Sequence, residues 1–140
     1  MKTRTAWILS IAAAHTGVTF LHAVVHVLVD VIPGLVDGAF IVVVIIVGLP
    51  VGAVLAWRSH PAAPWVFGGT AGAAFVYGFL SHFLFAGPDH VASVGSAGWG
   101  SAFLGTSAVL GALEIAGLLA ALTYLVPQAR TPLGSVGPSP

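Results

Sequence analysis

No cysteine occurs anywhere in the 140 residues. Disulfides, thiolate metal sites, cysteine-linked haem and thiol nucleophiles are therefore excluded, and the redox compartment stays undetermined. The single methionine is Met1, so the thioether donors of soft Cu(I) sites are missing too. Charge is almost as scarce: Asp, Glu, Lys and Arg make up 6% of the chain, where a soluble domain carries about 25%. The four basic and four acidic residues cancel, which leaves neither a basic patch for nucleic acid nor an acidic face for a basic partner. Gly-x-Ser-x-Gly, His-Glu-x-x-His and Walker-type phosphate loops are absent as well. Ser96 sits in a Gly/Ser-rich loop with no base or orienting acid beside it, so hydrolytic chemistry has no foothold.

What is abundant is apolar sequence, 58% of all residues against about 45–50% in soluble domains. It is gathered into four stretches, Trp7–Ile32, Ala39–Trp57, Pro64–Ala86 and Ser101–Val126, each near or above the ~20 residues that cross a bilayer core as a helix. None alternates as barrel strands do, and backbone in hydrocarbon must satisfy its own hydrogen bonds. The expected fold is therefore all-α, a four-helix transmembrane bundle over residues 1–126. Gly and Pro mark its turns around Pro33-Gly34, Arg58-Ser59-His60-Pro61 and Gly87-Pro88-Asp89. The Pro/Gly/Ser-rich stretch 127–140 reads as a disordered tail.

Lys2, Arg4, Arg58 and Arg130 all fall at one end of such a bundle, and Asp30, Asp37, Asp89 and His90 at the other. By the positive-inside rule both termini are cytoplasmic, with Trp7, Trp57, Trp65 and Tyr124 as an interfacial aromatic belt. A multi-pass protein of a prokaryotic plasma membrane is the expected setting. A rival reading takes Lys2-Thr3-Arg4 and Ala12-Ala13-Ala14 as a cleaved signal peptide, but the apolar run continues well past the 7–15 residues of a signal core. Gly48/Gly52 and Gly68/Gly72 have the spacing for close helix approach, and Pro50 predicts a kink.

Six histidines stand out in so apolar a chain. On the first helix His15, Thr19, His22, His26 and Asp30 follow one another at steps of four, three, four and four, which at 3.6 residues per turn places them on one narrow stripe. Imidazole is costly against lipid, so the stripe should face the bundle interior. Counting rise along the helices puts His82 at the level of His22 and His26, and Glu114 at the level of His15. Two sites follow: His22, His26 and His82 toward the acidic end, capped by Asp30, Asp89 or His90, and His15 with Glu114 near mid-membrane.

Four readings remain open for the first group, a proton or ion path being one of them. His82 with His22 or His26 can ligate a b-type haem, with Gly78 one turn away leaving room for the macrocycle. Alternatively the i, i+4 pair His22/His26 plus His82 and an Asp oxygen suit Zn, Fe or Cu(II). The bland reading is neutral imidazoles bonded to Thr19, Ser81, Tyr77 or helix carbonyls that only specify helix pairing. Glu114 has no Lys or Arg within the spans to pair with, so it is expected to share a proton with His15, as a relay with Ser107 on the same face or as one interhelical hydrogen bond. His60 reads as a solvated turn residue, and Asp89-His90 as part of the site, a guide for cations or a turn initiator.

The arrangement is broadly similar to b-type cytochrome anchors, without a motif that assigns a family. The leading expectation is a haem- or metal-binding electron-transfer subunit in the lipid bilayer, within a larger membrane complex or a homo-oligomer and without nucleic acid. A structural or assembly subunit and a small proton or cation conduit through Glu114 and His15 are the alternatives.

Overall fold

Apolar chain that closes its hydrogen bonds within each segment winds into helix, and every regular element among the described residues is helical. The computed structural model describes residues 3–96 and 98–126. The expected tail 127–140 with Arg130, and Lys2, lie outside them. Four helices are long and apolar enough to span a membrane: α1 (Thr3–Leu28), α2 (Leu35–Trp57), α3 (Ala63–Leu84) and, after the short α4 (Val91–Val94), α5 (Gly100–Leu125). Most of their large apolar side chains, such as Leu21, Val24, Val76 and Leu119, point outward, as contact with lipid requires.

The ends differ from the sequence expectation for local reasons. α1 stops at Leu28 rather than near Ile32 because Asp30 adopts the left-handed conformation, φ 57°, which Asp tolerates better than most side chains. The Val31 amide then donates back to the His26 carbonyl at 3.0 Å, and Pro33 has no amide with which to continue. α2 starts at Leu35, ahead of Ala39, and takes Asp37 into its first turn, where a carboxylate complements the helix dipole.

α2 and α3 each contain a π-helical segment, Ile41–Gly48 and Leu80–Leu84. The first ends just before Pro50, whose missing amide cannot pair with the Ile46 carbonyl, so the wider winding occurs where a kink was expected. Both π segments lie toward the acidic end.

α1 packs on α2 through Leu49–Trp57 and on α5, and α3 packs on α2 and α5. The four spans thus form a ring in which α1 and α3 face each other across the bundle axis. Toward the basic end the ring is filled by Ile8, Leu49, Phe67, Ala71 and Ala121, all at most 2% exposed. Backbones come close there: a Cβ on Gly52 would lie 2.7 Å from Phe67 Cα, and one on Gly68 would lie 2.9 Å from Ala121 Cβ. Absent side chains are what permit this approach. A Thr5–Tyr124 hydrogen bond of 2.9 Å ties α1 to the last turn of α5.

Candidate metal centre

The stripe on α1 is buried as its period requires, with His15, Thr19, His22 and His26 all inside the bundle. His82 reaches the same point from α3, across the axis. The π turn at Leu80–Leu84 helps aim it, since the Phe85 amide donates to the Leu80 carbonyl at 2.8 Å, five residues back, and shifts the helical register around His82. His22, His26 and His82 form a group able to hold a metal ion, each offering one ligand atom, all within 4.8 Å of one another. His22 Nε2 lies 3.1 Å from His26 Nε2 and 3.4 Å from His82 Nε2. The three rings share a floor, fully buried Phe103 of α5, whose centroid is 5.0–5.1 Å from each.

The outer nitrogens of these rings determine what the inner ones can do. His26 Nδ1 donates to the Val31 carbonyl at 3.0 Å, and His82 Nδ1 donates to the Asp89 carbonyl at 3.1 Å. A carbonyl only accepts, so each Nδ1 carries the proton. His22 Nδ1 meets Thr106 Oγ1 at 2.7 Å, and that hydroxyl donates its own proton to the Ala102 carbonyl at 2.7 Å. The threonine oxygen can then accept from His22 Nδ1–H; if the hydroxyl proton goes to Nδ1 instead, His22 carries its own proton on Nε2, facing His26 and His82. With His22 protonated at Nδ1, three neutral imidazoles turn bare Nε2 lone pairs toward one another; with the proton on Nε2, His22 donates across the 3.1 or 3.4 Å contact to His26 or His82.

In the first of these forms the converging lone pairs repel one another until a cation enters. One added proton can bridge two nitrogens and strands the third. A metal ion can satisfy all three, and bonds of ~2.0–2.1 Å in tetrahedral geometry place ligand nitrogens about 3.4 Å apart, close to the 3.1 and 3.4 Å of two of the three pairs, with the third within 4.8 Å. Outer hydrogen bonds of this kind are the supports that orient metal-binding imidazoles. A further negative group lies behind them: Asp89 Oδ1 is buried without a hydrogen-bond partner, 3.6 Å from His26 Nδ1.

The remaining candidates fall elsewhere. Asp30 is exposed at the end of α1. His90 caps α4 by accepting from the Ala92 amide at 3.1 Å, and His60 accepts from the Ala62 amide in its turn; neither joins the three-histidine group. His15 Nε2 and Glu114 Oε1 meet at 3.2 Å, both buried, and Thr19 Oγ1 lies 3.3 Å from His15 Nδ1. Ser107 is buried but donates to the Phe103 carbonyl at 2.8 Å within its own helix.

Sequence reasoning missed Thr106, Phe103 and the two carbonyl acceptors. Thr106 had a usable signal: it stands eight residues before Glu114, so it shares roughly the inward face of α5. Backbone carbonyls have none, because any residue supplies one. No family model, curated protein or solved structure matches this chain.

Proposed function

We propose that the protein is a membrane metalloprotein that holds one divalent first-row transition-metal ion on His22, His26 and His82. The observation that carries this reading is the convergence of three buried imidazole Nε2 atoms from two helices, with His26 and His82 held from behind by Nδ1–H bonds to backbone carbonyls. Three imidazoles leave a coordination position open, the pattern of a working rather than a closed structural site. Zn, Fe and Cu(II) all accept such a donor set, and copper binds it most tightly by the Irving–Williams order. With a redox ion in place, the role supported best is electron transfer with a partner subunit or a membrane-borne reductant.

The donor spacing favours a bare ion over haem. Axial imidazoles lie on opposite faces of the ring, about 4 Å apart for bonds of ~2.0–2.1 Å. Here His22 and His82 nitrogens are 3.4 Å apart, and the His26 nitrogen lies 3.1 Å from His22 where the macrocycle would pass. The packed basic half, with Ile8, Leu49 and Phe67 nearly inaccessible, likewise speaks against a conduit running from the histidines past His15 and Glu114 to that end. With the Arg4 and Arg58 end cytoplasmic by the positive-inside rule, the metal lies near the outer leaflet.

The test is elemental analysis of protein purified in mild detergent without added metal. About one zinc, copper or iron per chain is expected, lost in His22→Ala and His82→Ala while the helical far-UV signal persists. Metal-free wild-type protein that also fails to take up Zn(II) or Cu(II) on titration would overturn the assignment.

A further inference from the structure

The acidic half of the bundle is not filled as the basic half is. A cavity of about 770 Å³ runs through it, walled by all four spanning helices, and its polar lining includes the three histidines, Ser107 and Glu114. At this level α1 and the π-helical part of α2 lie apart, with Phe20 and Val27 on one side of the gap and Ile41 and Ile45 on the other, all four lining the cavity. Phe20, about two turns before the end of α1, and Val27, in its last turn, are both more than half exposed, so the gap meets acyl chains at the level of Phe20 and admits what is dissolved in them.

Three features of the interior narrow the occupant. The volume lies within the ~300–1,000 Å³ of pockets that enclose a small organic molecule. Another wall carries Phe75, Phe79 and Phe83, consecutive stacked rings with centroids 5.9 and 6.1 Å apart, a surface that suits a flat aromatic guest. Gly78 and Gly111 leave two points of the lining without side chains. The polar lining falls into two sets, the three histidines and the oxygen-bearing side chains Thr19, Tyr77, Asp89, Ser107 and Glu114, of which Glu114 already shares a hydrogen bond with His15. A saturated acyl chain has nothing to offer either of them. An aromatic ring with hydroxyls can donate to Glu114 or Ser107, or place an oxygen toward the metal.

We propose that this cavity binds a lipid-soluble hydroquinone, an aromatic diol on an apolar tail that enters from the bilayer and sets its ring between the phenylalanine wall and the metal centre. The ring is gripped by stacking and by hydrogen bonds to its hydroxyls, and the tail leaves through the gap between α1 and α2. The placement of the head beside the metal rests on the metal assignment above; the cavity and its aromatic wall do not.

The experiment is equilibrium dialysis of zinc-loaded protein in nanodiscs, zinc being redox-inert, with 2-decyl-1,4-benzohydroquinone and with decylbenzene as the oxygen-free control. The hydroquinone should bind saturably, one per chain and about tenfold tighter than decylbenzene, the size of one or two net hydrogen bonds. Ile45→Trp and Gly111→Leu, which fill the cavity away from the metal ligands, should each weaken it by about tenfold or more while metal content stays unchanged. Two substitutions on different helices guard against one failing to fold. No saturable binding, equal affinity for decylbenzene, or affinity unchanged in both filled variants would overturn the proposal. The metal titration of wild-type protein is read separately: zinc retained without hydroquinone binding sinks the cavity assignment alone, and hydroquinone binding by a protein that takes up no zinc sinks the metal assignment alone.

Discussion

The two halves of this bundle solve the problem of polar atoms in lipid in opposite ways. Toward the basic end the helices are brought together by residues that are missing side chains, Gly52 against Phe67 and Gly68 against Ala121, over a core of Ile8, Leu49 and Phe67. Toward the acidic end the helices are held apart, α2 and α3 wind as π-helix, and imidazoles fill part of the space with the rest left as a cavity. Helices in a bilayer gain no hydrophobic drive from touching each other, so close van der Waals packing must supply the cohesion. One half supplies it. The other half is thereby free to hold buried imidazoles around a cavity, so that the cohesive packing and the candidate site occupy different turns of the same four helices.

That division is tested first by removing a metal ligand. His82→Ala should lower metal affinity by more than the ~10–100-fold that loss of a supporting hydrogen bond costs, measured by competition with a chelator of known affinity. Unfolding of the metal-free protein should move little, since His82 lies outside the packed core of the basic half. Acid should release the metal from the wild-type site with uptake of protons, because each imidazole must be unprotonated to bind; proton uptake is read by a pH indicator during chelator-free acidification.

The mirror experiment belongs to the other half. Gly52→Ala places a methyl 2.7–2.8 Å from the backbone and Cβ of Phe67, where a rigid helix cannot yield as a flexible side-chain end would. A loss of about 1–3 kcal/mol, the usual cost of overpacking, is expected in reversible unfolding in detergent, with metal affinity of the folded fraction intact. If Gly52→Ala instead released the metal, the halves would be mechanically coupled and the comparison would fail. Next in size is Thr106→Val, which removes the hydrogen-bond partner of His22 Nδ1 while keeping the shape. Metal affinity should fall by about 10–100-fold with the same helical content, and Thr106→Ser should restore most of it.

What the sequence made legible follows from what repeats along a helix. The spans, the burial of His15, His22 and His26 and the depth match of His82 and Glu114 all come from 1.5 Å and 3.6 residues per turn, and the side chains meet where that counting places them. Counting could not show that α1 and α3 face each other diagonally, because topology in a four-helix ring is not written in any one helix. It could not show the π turns either, since a hydrogen bond to the fifth residue leaves composition unchanged. The supports of the metal group were the least visible. Val31 and Asp89 act through carbonyls, and the reversal of chain after Leu28 that returns Val31 to His26 depends on a single left-handed residue, Asp30.

The smallest effect is expected from Glu114→Gln, and it discriminates most about the boundary between the halves. His15 and Glu114 sit beneath the metal group by seven residues of α1, about 10 Å along the axis, joined by one hydrogen bond of 3.2 Å. Glutamine keeps an oxygen acceptor for His15 in the same volume. Exchange of one satisfied hydrogen bond for another changes stability by less than about 1 kcal/mol, and the metal, held by other atoms, should bind as before. A loss of about 3–5 kcal/mol would carry the signature of a buried ion pair broken by removing one partner. In that case the pair, and not the glycine contacts below it, would set the stability of the bundle, and the packed half would have to be redrawn to begin at His15.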